Sequence, residues 1–150
     1  MSDTARRILA GIFLIGVGGI FVELLLLGHY EDLDQLIPLA LAGLATISLL
    51  LAALRPAPAT LRAFQTIMVM VVISGFVGTW LHYRATTEFQ LEMDPSLRGL
   101  ALFRKAIVAK APPALAPGAM IQLGLIGLAY TFNHPAFRRG GSLHPPEEKP

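Results

Sequence analysis

The chain has 150 residues, of which 54% are hydrophobic and only 15% are charged. Soluble domains carry about 25% charged residues, so this chain must bury apolar surface in lipid or against partners. It contains no cysteine, which excludes disulfides, thiolate metal sites and cysteine nucleophiles. The net charge is +2, and the basic residues are scattered at predicted helix ends rather than gathered in a patch. We therefore do not expect nucleic-acid binding.

Four apolar runs organise the sequence, and each is long enough to cross a bilayer once. In the first run, residues 8–28, the only charged residue is Glu23. At about 1.5 Å per residue it covers a hydrocarbon core of about 30 Å, and it lacks the exit signature of a cleaved signal peptide. The other three runs are residues 36–54, 64–81 and 115–132. The sequence predicts an all-α integral membrane protein with four transmembrane helices in a bundle, embedded in a lipid bilayer.

Prolines mark the predicted helix starts. Pro38 and Pro117 are each expected in the first turn of a helix, where the missing N–H costs little. Asp94 followed by Pro95 predicts the N-cap of a further short helix, residues 95–109. That segment has an apolar arc and three basic side chains and is too short to cross. We expect it to lie on the membrane surface between the third and fourth spanning helices.

The distribution of Lys and Arg predicts the orientation. Basic residues before the first helix, between the second and third, and after the fourth share one side. The first loop on the other side, residues 29–35, has three acids and no Lys or Arg. The connection 82–114 carries five basic residues and opposes this assignment, but the other connections outweigh it. We expect a multi-pass protein of a bacterial inner membrane with cytoplasmic N- and C-termini. Residues 1–135 would form the membrane domain, and residues 136–150 a disordered cytoplasmic tail.

Glu23 is the ionisable residue within these runs that most suggests chemistry. A charged side chain in hydrocarbon costs ~2.5–3.5 kcal/mol on insertion scales, so Glu23 is expected to point into the bundle. Gly16 and Gly19 share its face and would admit a neighbouring helix. Counted from the helix ends, Gln122 lies at a similar depth and is the expected hydrogen-bond partner. Glu23 would then serve either as a proton or ion relay or as a neutral side chain that fixes helix register.

Histidine and acidic residues collect at the predicted outer rim. Because His29 and His82 each end an outward-running helix, we expect the two rings to come close together. Histidine and carboxylate side chains together can ligate zinc or manganese, although none of these spacings is diagnostic. Haem is not expected, because both histidines lie at the rim rather than inside the bundle. The only cofactor left open is a divalent cation, with ligands drawn from His29, Glu31, Asp32, Asp34, His82, Glu88, Glu92 and Asp94.

The sequence contains no nucleotide-binding, thiol or hydrolase motif, and four helices enclose little volume for a substrate. The first expectation is therefore a non-enzymatic accessory or interaction subunit that works with a membrane-protein partner or as a homodimer. One alternative is a small proton- or ion-coupled transporter centred on Glu23. Another is a metal-binding membrane protein that uses the histidines and acids of the rim.

Overall fold

The structure is a computed structural model that describes residues 1–108 and 115–139. Within these ranges the regular structure is entirely helical, as the composition predicts. The six helices are α1 Asp3–Leu26, α2 Leu33–Leu54, α3 Pro58–Met93, α4 Gly99–Ile107, α5 Leu115–Thr131 and α6 Pro135–Arg139. Helices α1, α2 and α3 are long and apolar enough to cross a membrane, and α5 is a shorter apolar helix.

Helices α1 and α3 begin at Asp3 and Pro58, before the predicted starts at residues 8 and 64. Three further differences change the positions of prolines and polar segments. Helix α2 begins at Leu33, so Pro38 lies inside the helix rather than in its first turn. Helix α3 has 36 residues, which is about 54 Å at 1.5 Å per residue, and it continues well past the predicted end at residue 81. Hydrophobicity marks only the apolar part of a helix, and the polar extension after Leu81 carries no such signal.

The third difference concerns α4, which begins at Gly99 rather than at residue 95 and has Arg98 as its N-cap residue. The carboxylate of Asp94 instead closes a turn after α3, where it accepts hydrogen bonds from the Ser96 N–H at 3.1 Å and the Ser96 hydroxyl at 2.6 Å. Of the expected disordered tail, residues 136–139 belong to α6. Residues 140–150 lie outside the described residues.

Helices α3 and α5 pack closely because glycines line their contact. A Cβ atom added at Gly75 would lie 2.6 Å from the carbonyl oxygen of Pro117, and one added at Gly124 would lie 2.9 Å from that of Met68. Any side chain at these positions would push the two backbones apart. We call this contact the α3–α5 seam.

Aromatic rings join α1 to the α3–α5 seam. Phe64 of α3 makes edge-to-face contacts with Phe13 of α1 and Tyr130 of α5, with ring centroids 5.9 Å apart in both pairs. Phe13 and Phe64 are fully buried, and such pairs add to the stabilisation from burial alone. Helix α2 closes the core through its small residues Ala42, Ala45 and Ala52.

The seam predicts opposite effects for two Gly→Ala substitutions. Gly75→Ala should lower the free energy of unfolding by about 1–3 kcal/mol, because the added methyl group meets backbone atoms. Gly18→Ala is the matched control: nothing lies within 4 Å of its added Cβ atom, so it should be neutral or gain up to about 1 kcal/mol from helix propensity. Thermal unfolding in detergent measures both changes. Equal midpoints for the two variants would contradict the close approach of α3 and α5.

Candidate functional site

Glu23 does not face the interior. Val17, Ile20 and Leu24 form the buried stripe of this part of α1, and Glu23 lies about 100° around the helix from Leu24. The structure leaves Glu23 exposed, so the expected inward orientation is wrong. From Phe13 to Leu24 the buried stripe of α1 consists of apolar side chains.

Gln122 is not the partner of Glu23. A Cβ atom added at Gly16 would touch Leu123 of α5, so Gly16 and Leu123 lie at the same level. Glu23 is seven residues further along α1, about 10 Å away from that level. Gln122 is itself exposed. Glu23 instead lies three residues before the end of α1 at Leu26, within about 5 Å of the end of the helix.

We call the end of the bundle formed by residues 27–32 and 82–108 the rim end. Gly28, with φ +66°, ends α1 in a Schellman turn. In this turn the His29 N–H donates to the Leu24 carbonyl oxygen at 2.9 Å, and the Gly28 N–H donates to that of Leu25 at 3.1 Å. The reversal of the chain carries His29 toward α3.

The expected closeness of His29 and His82 is confirmed. Their ring centroids are 6.2 Å apart and their planes differ by 23°, so the rings are stacked. The pKa of His29 is lowered from its ordinary value of 6.5, first by partial burial and then by the neighbouring His82. The pair joins the first loop to α3.

The acidic residues of the rim end do not converge on this pair. Glu88 forms an ion pair with Arg84 at 2.9 Å, and Glu92 is exposed. Asp32 precedes α2, and its carboxylate accepts from Gln35 at 3.5 Å. The backbone N–H of Glu31 donates to the side-chain oxygen of Gln35 at 3.1 Å. Among residues 1–108 and 115–139 there is no group of three or more His, Asp or Glu side chains that could hold a metal ion.

The opposite end of the bundle, formed by residues 1–7, 54–62 and 131–139, contains a cluster that sequence analysis missed. We call this end the terminal end. Arg6 is only 6% exposed. Its guanidinium donates to Asp3 at 3.0 Å and to the carbonyl oxygen of Asn133 at 3.0 Å. The Arg138 guanidinium donates a hydrogen bond to the side-chain oxygen of Asn133 at 2.8 Å. The Asp3-x-x-Arg6 spacing indicates an ion pair within α1, but nothing in the sequence indicates the long-range bond to Asn133.

His134 completes the terminal end. Its Nδ1 accepts a hydrogen bond from the Ala136 N–H at 3.2 Å, which requires the unprotonated nitrogen. Burial first, and then the charge of Arg6, lower the pKa of His134, while Asp3 acts in the opposite direction. The neutral imidazole thus helps to start α6.

An open apolar groove runs between α1 and α2 and has a volume of about 380 Å³. Gly18 and Gly43 lie in it, and nothing would lie within 4 Å of a Cβ atom added to either. Its one polar side chain, Thr46, donates its hydroxyl hydrogen to the Ala42 carbonyl oxygen at 3.0 Å. We call this surface the α1–α2 groove; it is lined by Leu14, Val17, Gly18, Phe21, Ala42, Gly43, Thr46 and Ile47.

Comparison with known proteins finds no protein-family model, no curated protein and no solved structure that matches this chain. Three features of the described residues are candidates for a functional site: the α1–α2 groove, the His29–His82 pair and the Arg6 cluster. The groove can receive only an apolar occupant, because its lining presents no free polar group.

The lowered pKa values of His29 and His134 predict that the stability of the fold depends on pH. In the folded chain the pKa values of His29 and His134 lie below the ordinary value of 6.5, so the unfolded chain binds more protons as pH falls. Their contribution to stability is fully present above about pH 6.5 and is lost as pH falls through that value toward the lowered pKa values. Thermal unfolding in detergent from about pH 8 to about pH 5 should show a falling midpoint. The double variant His29→Gln, His134→Gln should flatten this fall, and a slope identical to that of the wild type would contradict the assignment.

Proposed function

We propose that the chain is a four-span integral membrane protein of a bacterial inner membrane, with α5 as the fourth span. Support comes from the large apolar side chains that α1, α2 and α3 leave exposed along their lengths, such as Ile15 at 78% and Leu54 at 79%. Soluble monomers rarely expose large contiguous apolar patches. In a bilayer the same side chains would contact lipid acyl chains instead of water, so their exposure would not be costly.

Both termini are proposed to face the cytoplasm. Arg7, Arg55 and Arg62 are exposed around the terminal end, whereas the first loop at the rim end contains acids and no Lys or Arg. The connection after α3 opposes this assignment with Arg84, Arg98, Arg104 and Lys105, but the basic residues at the terminal end outnumber them. The balance follows the positive-inside rule. The rim end would then lie at the outer surface.

Single-cysteine labelling tests insertion and orientation, because the native chain contains no cysteine. Asp34→Cys, in the first turn of α2 next to the rim end, should react with a membrane-impermeant maleimide on intact spheroplasts. Ala59→Cys at the terminal end should react only after permeabilisation. The reverse pattern would overturn the orientation, and full labelling of both without permeabilisation would overturn insertion.

The proposed activity is that of a non-enzymatic accessory subunit that binds a transmembrane helix of a partner membrane protein in the α1–α2 groove. The observation that supports the proposal is the empty space above Gly18 and Gly43 in this groove. Small residues let two helix backbones approach closely in lipid, where association depends on packing. The seam glycines Gly75 and Gly124 already serve this purpose inside the chain, whereas Gly18 and Gly43 are unoccupied.

A relay centred on Glu23 is not proposed. Its carboxylate lies on the exposed surface near the end of α1. The buried core beneath it consists of apolar side chains such as Ile20 and Leu24. The position also reduces the cost of the charge, since the side chain needs to extend only about one turn to reach the interface.

Filling the groove tests the accessory role. Gly18→Leu and Gly43→Leu should fold normally, because nothing lies within 4 Å of a Cβ atom added at either position. Each should weaken the native complex at least about tenfold, since a loss of ~1.4 kcal/mol is enough. Gly19→Leu is the matched control, since nothing lies within 4 Å of a Cβ atom added at Gly19 and this residue does not line the groove. Native gels after mild detergent extraction, with mass spectrometry of the bands, measure the complex.

Three results would contradict the proposal. The first is a wild-type chain that migrates alone. The second is equal loss of the complex in the Gly18→Leu and Gly19→Leu variants, which would detach the effect from the groove. The third is co-elution of two differently tagged copies with no other protein, which would make the occupant a second copy of this chain instead of a heterologous partner.

A further inference from the structure

Helix α4 lies at the level where the apolar part of α3 ends. The ring centroids of Trp80 and Tyr83 are 6.2 Å apart, and those of Tyr83 and Phe103 are 6.0 Å apart. The apolar run of α3 ends at Leu81. Phe103 therefore lies at the boundary between the apolar and polar parts of α3. Trp and Tyr favour this boundary in membrane proteins. The proposed membrane surface therefore passes through α4.

The faces of α4 are chemically distinct. Ala106 is fully buried, and Leu97, just before the helix, is also buried. Leu100, Phe103 and Ile107 follow helical spacing on a second face and are exposed. This face is exposed even where the Phe103 ring contacts Tyr83 of α3, with Leu100 at 64% and Phe103 at 46% exposure. Its large apolar side chains suit the boundary between headgroups and acyl chains.

The two cations of α4 lie on different sides of this apolar face. Residues 99–107 contain Arg104 and Lys105 and no acid. Arg104 is exposed and lies about 60° around the helix from Ile107, at the edge of the apolar face. Lys105 lies on the opposite side and forms an exposed ion pair with Asp94 at 3.7 Å. Of these two cations, Arg104 is the one placed to reach a phosphate while the apolar face enters lipid.

We infer that α4 is a lipid-binding surface that recognises anionic phospholipid headgroups, with Arg104 as the phosphate-binding residue and Leu100, Phe103 and Ile107 in the adjoining acyl region. A guanidinium group binds phosphate through two parallel hydrogen bonds, which a point charge cannot do. The inference rests on the proposed membrane insertion. It adds a specific ligand class at the rim end, away from the α1–α2 groove.

The test uses full-length single-cysteine protein in nanodiscs of phosphatidylcholine or of an equimolar mixture of phosphatidylcholine and phosphatidylglycerol. Val108→Cys, a position that is 81% exposed, carries an environment-sensitive fluorophore, and acrylamide quenching gives the ratio of lipid-protected to water-exposed label. The anionic lipid should raise this ratio. Arg104→Gln should lower it roughly fivefold in the anionic nanodiscs and leave it unchanged in phosphatidylcholine, as expected for one cation near a charged surface.

Lys105→Gln is the matched control, since it makes the same change of charge on the adjacent residue but on the opposite side of α4. It should retain the lipid dependence. Equal loss in the two variants, or no difference between the two lipids, would overturn the inference. A label at Ile15→Cys separates this failure from that of membrane insertion: a protected Ile15 label preserves insertion, whereas a quenched one would overturn the proposed function itself. Circular dichroism confirms that each variant is folded.

Discussion

The close approach of α3 and α5 is the constraint on which the rest of the structure depends. Gly75 and Gly124 bring the two backbones within reach, and this places Phe64 against Tyr130. Phe13 of α1 then packs on Phe64. The contact between α3 and α5 therefore also sets the position of α1. Packing of this kind does not need water to drive it, which suits a chain proposed to fold in lipid.

Polar contacts fasten the bundle at its two ends. At the terminal end, Arg6 joins the start of α1 to Asn133 after α5. At the rim end, His29 joins the first loop to His82 of α3. Both contacts lie outside the apolar middle of the helices. Arg6 is buried there, and its hydrogen bonds to Asp3 and Asn133 offset the cost of removing the charge from water. In the apolar middle, the helices are held together by packing. There, glycines in contact with another helix mark the faces that are packed inside the bundle, and glycines with nothing nearby mark faces that remain open.

Glycines with similar sequence surroundings have different roles in the structure. Gly16 meets Leu123 of α5, whereas Gly18 and Gly19 meet nothing. Successive residues on a helix point about 100° apart, so two positions separate an interior face from an exterior one. The α1–α2 groove and the exposed apolar surface of α1 are products of this geometry. The proposed partner helix and the proposed anionic lipid would therefore occupy opposite kinds of surface, one formed by small residues and the other by α4 side chains.

The sequence by itself determined the helical class, the apolar segments and the closeness of His29 and His82. These follow from local hydrophobicity and from the rule that connected helices end at alternate ends of a bundle. Only the tertiary structure decided that Glu23 faces outward, that Arg6 is buried against Asn133, and that α4 returns to Tyr83. Each of these depends on the rotation of one helix against another. That rotation is set by packing between residues far apart in the chain, and a hydrophobic pattern with apolar side chains on every face of a helix does not encode it.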